Sequence, residues 1–113
     1  MVKRIPDKGD IVLLQFNPQQ GHEQAGARPA LVLTEKVYNE KTGLAIMCPI
    51  TSKVKGYPFE IALPPRLKTE GVILADQVKN LDWRARQIKF IEKAPIDITL
   101  AVLNKLKLLL EKF

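Results

Sequence analysis

The chain has 113 residues, 46% of them hydrophobic and 27% charged, with 18 Lys and Arg against 12 Asp and Glu for a net charge of +6. One cysteine excludes an internal disulfide, one histidine excludes a two-histidine acid–base site, and no apolar run approaches the roughly 18 residues of a membrane span. The length suits a single domain over residues 1–113, large enough to bury a real core.

The opening MVKRIPDKGD carries basic residues but no apolar stretch, so no secretory signal is expected. Together with a lone Cys48 set among apolar residues, core-bound and inert, this points to the cytoplasm. The positive excess suits a polyanion through counterion release, an acidic protein partner, or solubility alone.

Asp10 to Phe16 (DIVLLQF) reads as a first strand after a Lys8-Gly9 turn. A polar, glycine-bounded loop, GHEQAGARPA from Gly21 to Ala30, then delivers Arg28 to the mouth of an apolar second strand, Arg28 to Thr34. Pro29 pushes the residue before it into extended geometry, so Arg28 is presented from a stiff position. Asn39 to Gly43 is expected to be a hairpin loop, with Gly43 able to take positive φ, leading into a third strand, Leu44 to Ile50. Phe59 to Leu63 alternates as a half-exposed fourth strand, ended by Pro64-Pro65. Gly71 to Ala75 is a short fifth strand, and Arg86 to Ile91 a sixth. From Pro95 to Phe113 the period changes to three or four, with Leu100, Leu103, Leu106, Leu110 and Phe113 on one stripe of an amphipathic helix. Val102, Leu108 and Leu109 lie off that stripe and fit a second buried surface. Six strands and a terminal helix imply a mainly β fold, a strongly bent antiparallel sheet with the helix packed on it.

Several blocks in order, GHEQAGARPA, PITS at 49–52, KGYPFE at 55–60, GVILADQVK at 71–79 and WRAR at 83–86, resemble the MazF/PemK toxin family. Its members are endoribonucleases (mRNA interferases) of type II toxin–antitoxin systems. The resemblance covers most of the chain. It implies an SH3-like barrel with helical additions, a homodimer, and a MazE-like cognate antitoxin whose acidic, extended tail covers a basic groove.

The chemistry available agrees with an RNA-cutting reading. No cluster of His, Cys or carboxylates has metal-ligand spacing, so a metal nuclease is disfavoured and no cofactor is expected. RNA supplies its own nucleophile, the 2′-hydroxyl, leaving the enzyme to align it, move protons and stabilise charge. The planar fork of an arginine grips two phosphorane oxygens at once, and Arg28 is the candidate. Thr51, where the third strand runs out, has a β-branched and therefore stiff hydroxyl that suits the same phosphate, though such a threonine also serves as a plain turn former. Arg28 within GARPA and Thr51 within PITS match the family's functional arginine and threonine. The family places a glutamate in the loop that holds Glu23, here the candidate general base, while Glu23 also reads as a solvated loop carboxylate and His22 as surface.

For substrate grip, Ser52, Lys53 and Lys55 follow Thr51 and suit phosphates on either side of the cut. Asn17, Gln19, Gln20, Gln24 and Gln77 suit base edges, and Tyr57 suits stacking on a splayed base. Trp83, between Asp82 and Arg84, is open to either stacking or a core position. Single-stranded RNA is thus the expected substrate, cleaved at a short sequence to leave a 2′,3′-cyclic phosphate and a 5′-hydroxyl. Two other readings stay open: a CcdB-like toxin on the same fold that binds gyrase without catalysis, and a non-catalytic RNA-binding barrel. The first relies on a C-terminal tryptophan segment, whereas this chain ends LLLEKF.

Overall fold

The structure, a computed structural model, describes residues 4–15 and 27–112. Seven strands and two helices run in the order β1 (Asp10–Gln15), β2 (Ala27–Val32), α1 (Lys36–Thr42), β3 (Leu44–Thr51), β4 (Glu60–Ala62), β5 (Val72–Leu74), β6 (Lys79–Asp82), β7 (Lys89–Lys93) and α2 (Ile96–Lys112). All ladders are antiparallel, in the path β4-β5-β3-β2-β1-β7, with β6 also on β3. Along the described residues the sheet is open between β4 and β7. The expected bent antiparallel sheet with a C-terminal helix forms, without closing into a full barrel.

Both faces of this sheet are covered, because side chains alternate along each strand. Leu31, Cys48, Ile50 and Ile73 face a first core that also holds Leu63 and Val102. Val12, Leu14, Ala30, Val32, Ala45 and Met47 face a second core, closed by Leu81 and Trp83. This two-sided burial explains the continuous apolar run of β2. Strand β3 is the keystone. One edge pairs with β2 at Met47 to Pro49, and the other with β6 at Leu44 to Met47 and β5 at Ile50 and Thr51.

The expected hairpin loop at Asn39 to Gly43 is instead the end of helix α1, which Gly43 closes at φ +75°. What holds that helix is polar rather than apolar. The fully buried Asn39 donates its amide to the carbonyls of Pro6 (2.7 Å) and Thr34 (2.9 Å) and accepts the Thr34 hydroxyl at 2.6 Å. Trp83 is a core residue too: buried, with its indole N–H donating to the Asn39 carbonyl at 2.9 Å and Arg84 lying over its outer face. A second buried polar centre is Asp10, which accepts from Arg4, Lys93 and the amide of Asp7.

Two further expectations shift. The sixth expected strand, Arg86 to Ile91, moves on to β7 at Lys89–Lys93, and β6 is an extra strand in which only Leu81 is buried. In α2 the buried face is turned from the expected stripe. Thr99 and Val102 are buried, with Ile98, Leu103 and Leu106 packed beside them, whereas Leu100 and Leu110 are exposed. Val102 therefore belongs to the first core and not to a second surface, while Leu108 is exposed and Leu109 half-buried. Helix α2 enters after Pro95, as its sequence suggests. Phe113 lies outside the described residues.

Candidate active site

Strand β2 carries Arg28 on an exposed side chain, as the ladder partner of Leu14 in β1. Pro29 has no amide hydrogen to offer a neighbour, and the β2–β3 ladder starts one residue later, at Ala30↔Pro49. Beyond that pair Ile50 and Thr51 are held by β5, and side-chain alternation puts Arg28 on the face of Ala30 and Thr51 on the face of Pro49. Directly opposed residues of an antiparallel pair share a face. Arg28 and Thr51 therefore belong to one face, just past the last paired residues. The Arg28 side chain has no hydrogen bond or ion pair among the described residues.

Thr51 is anchored on its other side, where it pairs with Val72 of β5. Its Oγ accepts the backbone N–H of Lys53 at 3.1 Å. This turn uses one lone pair and leaves the hydroxyl hydrogen to donate. Gly71 makes the arrangement possible. It adopts φ +115°, and a Cβ there would collide with the Thr51 carbonyl. Only glycine lets the backbones of β3 and β5 approach so closely.

Next to Thr51 opens a cleft of about 180 Å³. Thr51, Lys53, Lys55, Tyr57 and Gln77, all expected site residues, line it together. Tyr57 is exposed, with the Lys55 ammonium 5.9 Å from its ring centroid. Ser52 and Arg28 are both exposed, and neither lines the cleft. The sequence reading missed Glu60, Leu74 and Asp76, which complete the wall. Glu60 reads as the outward position of a strand, and only its spacing of four from Gly56 hints at more. Its two oxygens accept the amides of Lys55 and Gly56, each at 3.0 Å. Asn17, Gln19, Gln20, His22, Glu23 and Gln24 lie outside the described residues. The residues flanking that segment, Gln15 and Ala27, are ladder partners. Arg86 secures this base by donating to the Gln15 carbonyl at 2.9 Å.

Cys48 lies beneath the cleft as a core thiol. Burial, and then the negative charge of Asp76, pushes its pKa up to about 12, so it remains protonated and unreactive. No group of three or more His, Cys, Asp or Glu side chains among the described residues is placed to hold a metal ion. No described helix is long and apolar enough to cross a membrane.

Residues 7–110 match the model of the PemK-like, MazF-like toxins of type II toxin–antitoxin systems. The chain belongs to this family. Among its relatives, the endoribonuclease toxin MazF of Escherichia coli K12 is 52% identical over 76% of this chain and 78% of its own. The endoribonuclease PemK of Escherichia coli is 34% identical over 97% and 87%. MazF of Deinococcus radiodurans superposes with a TM-score of 0.87 at 51% identity, covering 96% of this chain and 98% of that one. A MazE–MazF complex from the same organism gives 0.86 at 45%, with the same coverage. The solved neighbours thus carry this PemK/MazF fold over nearly the whole length of the chain, as the sequence blocks imply.

Proposed function

We propose that this PemK/MazF-family toxin is an endoribonuclease that cuts single-stranded RNA, chiefly mRNA, at a short recognition sequence, without metal or cofactor. The observation that supports the reading is the cleft that Thr51 lines together with Lys53 and Lys55, with the exposed Arg28 two residues beyond the last β2–β3 pair. In the reaction, the 2′-oxygen loses its proton and bonds to phosphorus while the bond to the 5′-oxygen breaks, and that oxygen takes up a proton. The products are a 2′,3′-cyclic phosphate and a 5′-hydroxyl. Arg28 holds two oxygens of the pentacovalent centre, and the Thr51 hydroxyl donates to the same group. Glu23 is the proposed base. Lys53 and Lys55 hold the flanking phosphates; Tyr57 and Gln77, with Ser52, Asn17, Gln19, Gln20 and Gln24, meet the bases and backbone.

The same proposal has the protein act in the cytoplasm, as one toxin domain in a homodimer. An acidic, extended antitoxin tail over the cleft would set carboxylates against the cations that otherwise meet phosphate, and so compete directly with RNA. Helix α2 leaves Ile96, Leu100 and Leu110 exposed, apolar surface that a second copy would cover. Gyrase binding without catalysis is not favoured, because the relatives named above are endoribonucleases.

The test is to incubate the purified protein with total RNA and map the ends. Discrete cuts bearing cyclic phosphates are expected, unaffected by EDTA and abolished by one 2′-deoxy sugar 5′ of the scissile phosphate. Intact RNA would favour a binding module, and cutting of the deoxy substrate would refute the mechanism.

A further inference from the structure

Glu60, like Asp76, puts a negative charge in the wall of a cleft whose lysines attract anions, which opposes phosphate binding unless the carboxylate serves another purpose. It opens β4, pairs with Leu74 of β5, and is half-buried. Its Oε2 accepts the Lys55 amide and its Oε1 the Gly56 amide, both at 3.0 Å. Two successive amides aimed at one anion make a small backbone nest. That nest requires the left-handed conformation of Gly56, φ +83°.

The carboxylate is satisfied by backbone and not by the lysines. Neither Lys53 nor Lys55 is ion-paired to it among the described residues, so both ammonium groups stay available. Between Thr51 and Glu60 the chain has no regular structure. Its other ties include the Lys53 amide to Thr51, the Glu60 amide to the Tyr57 carbonyl at 3.1 Å, and the Phe59 carbonyl, which accepts the Ala75 amide at 3.0 Å. Glu60 thus fastens the middle of this loop to the rigid sheet.

We propose that Glu60 is a positioning residue for RNA: by gripping the Lys55 and Gly56 amides it fixes Lys53, Lys55 and Tyr57 around the cleft in front of Thr51. This rests on the reading of the cleft as the RNA site. Glutamine keeps one acceptor oxygen but turns an NH₂ toward an amide N–H, losing one hydrogen bond and opposing two donors. Gly56→Ala strains the same nest from the backbone side, with no atom within 4 Å of the added carbon to complicate the result.

The experiment compares wild-type protein, Glu60→Gln and Gly56→Ala on an RNA oligonucleotide containing a mapped cut site. Binding is measured with the same oligonucleotide made uncleavable by a 2′-deoxy sugar, alongside thermal unfolding and amide exchange. Both variants should raise KM and Kd about tenfold or more, with kcat within about threefold of wild type. Exchange at the Lys55 and Gly56 amides should quicken in Glu60→Gln. Unchanged KM and Kd in both variants, or a defect confined to Tm, would overturn the assignment. If wild-type protein cuts the RNA and the variants match it, only the role of Glu60 falls. If wild-type protein neither binds nor cuts, the RNA reading of the cleft falls and takes this assignment with it.

Discussion

Adding one methyl group at Gly71 strikes fold and site together. The residue sits at φ +115°, and its new Cβ would overlap the Thr51 carbonyl and press on the Cα of Ser52. Holding an L-residue in that backbone region costs about 1–3 kcal/mol. Relieving the overlap means moving β5 away from β3, and overpacking of this kind typically costs roughly another 1–3 kcal/mol. The two pairs at risk are Ile50↔Ile73 and Thr51↔Val72, together with the Leu63 amide bonded to the Gly71 carbonyl. Since each kcal/mol moves the midpoint of a domain this size by about 4–8 °C, Gly71→Ala should lower Tm by roughly 10 °C or more. Thermal and urea unfolding measure that loss, and RNA cleavage well below the transition measures displacement of Thr51, expected at about 10²-fold. A variant with Tm within about 2 °C of wild type and unchanged cleavage would refute the claim that this close approach sets the position of Thr51.

Thr51→Val keeps the shape but removes the donor, and Arg28→Lys keeps the charge but removes the fork; each should cut the cleavage rate by about 10²–10³ while unfolding stays near wild type. Acid should destabilise the fold through two carboxylates. In Glu92, burial pushes the pKa up, but the Thr69 hydroxyl and the amides of Lys68 and Thr69 outweigh it and hold the group below its usual 4.5. Asp7 is likewise held below 3.8, where burial is overcome by the amides of Lys36 and Lys8. A depressed folded-state pKa gives stability that is complete above the ordinary value and disappears as pH falls through the lower one. Urea midpoints should therefore drop between about pH 5 and about pH 3, and less steeply in Glu92→Gln. The buried Cys48 thiol should resist iodoacetamide in native protein at about pH 8 and react once urea unfolds the chain, which mass spectrometry resolves.

What could be read from the sequence is what depends on local pattern. The apolar runs of β1, β2 and β3, the period of α2 and the block order that marks the family all survive in the structure. Helix α1 was not legible, because what fixes it is one buried amide, Asn39, bonded to a carbonyl 33 residues earlier in the chain. Strand β6 was hidden for a related reason: three of its four residues are polar and exposed, so it exists by pairing with β3 and not by its own pattern. The helical stripe misled because leucine was weighted above valine and threonine. Thr99 instead faces inward beside Gly9, where an added Cβ would meet its Oγ at 3.5 Å. Of the residues that line the cleft, those in or next to a recognisable block, Thr51, Lys53, Lys55, Tyr57 and Gln77, were legible. Glu60 and Asp76 were not, since carboxylates in a basic cleft acquire meaning only from the amides and strands around them.

With a single indole in the chain, any tryptophan emission comes from one address, the seal of the second core against the helix that Asn39 anchors. That chromophore is shielded from water and is not among the residues that line the cleft. Its spectrum will follow the integrity of the scaffold, so one cuvette separates a damaged protein from an inactive one.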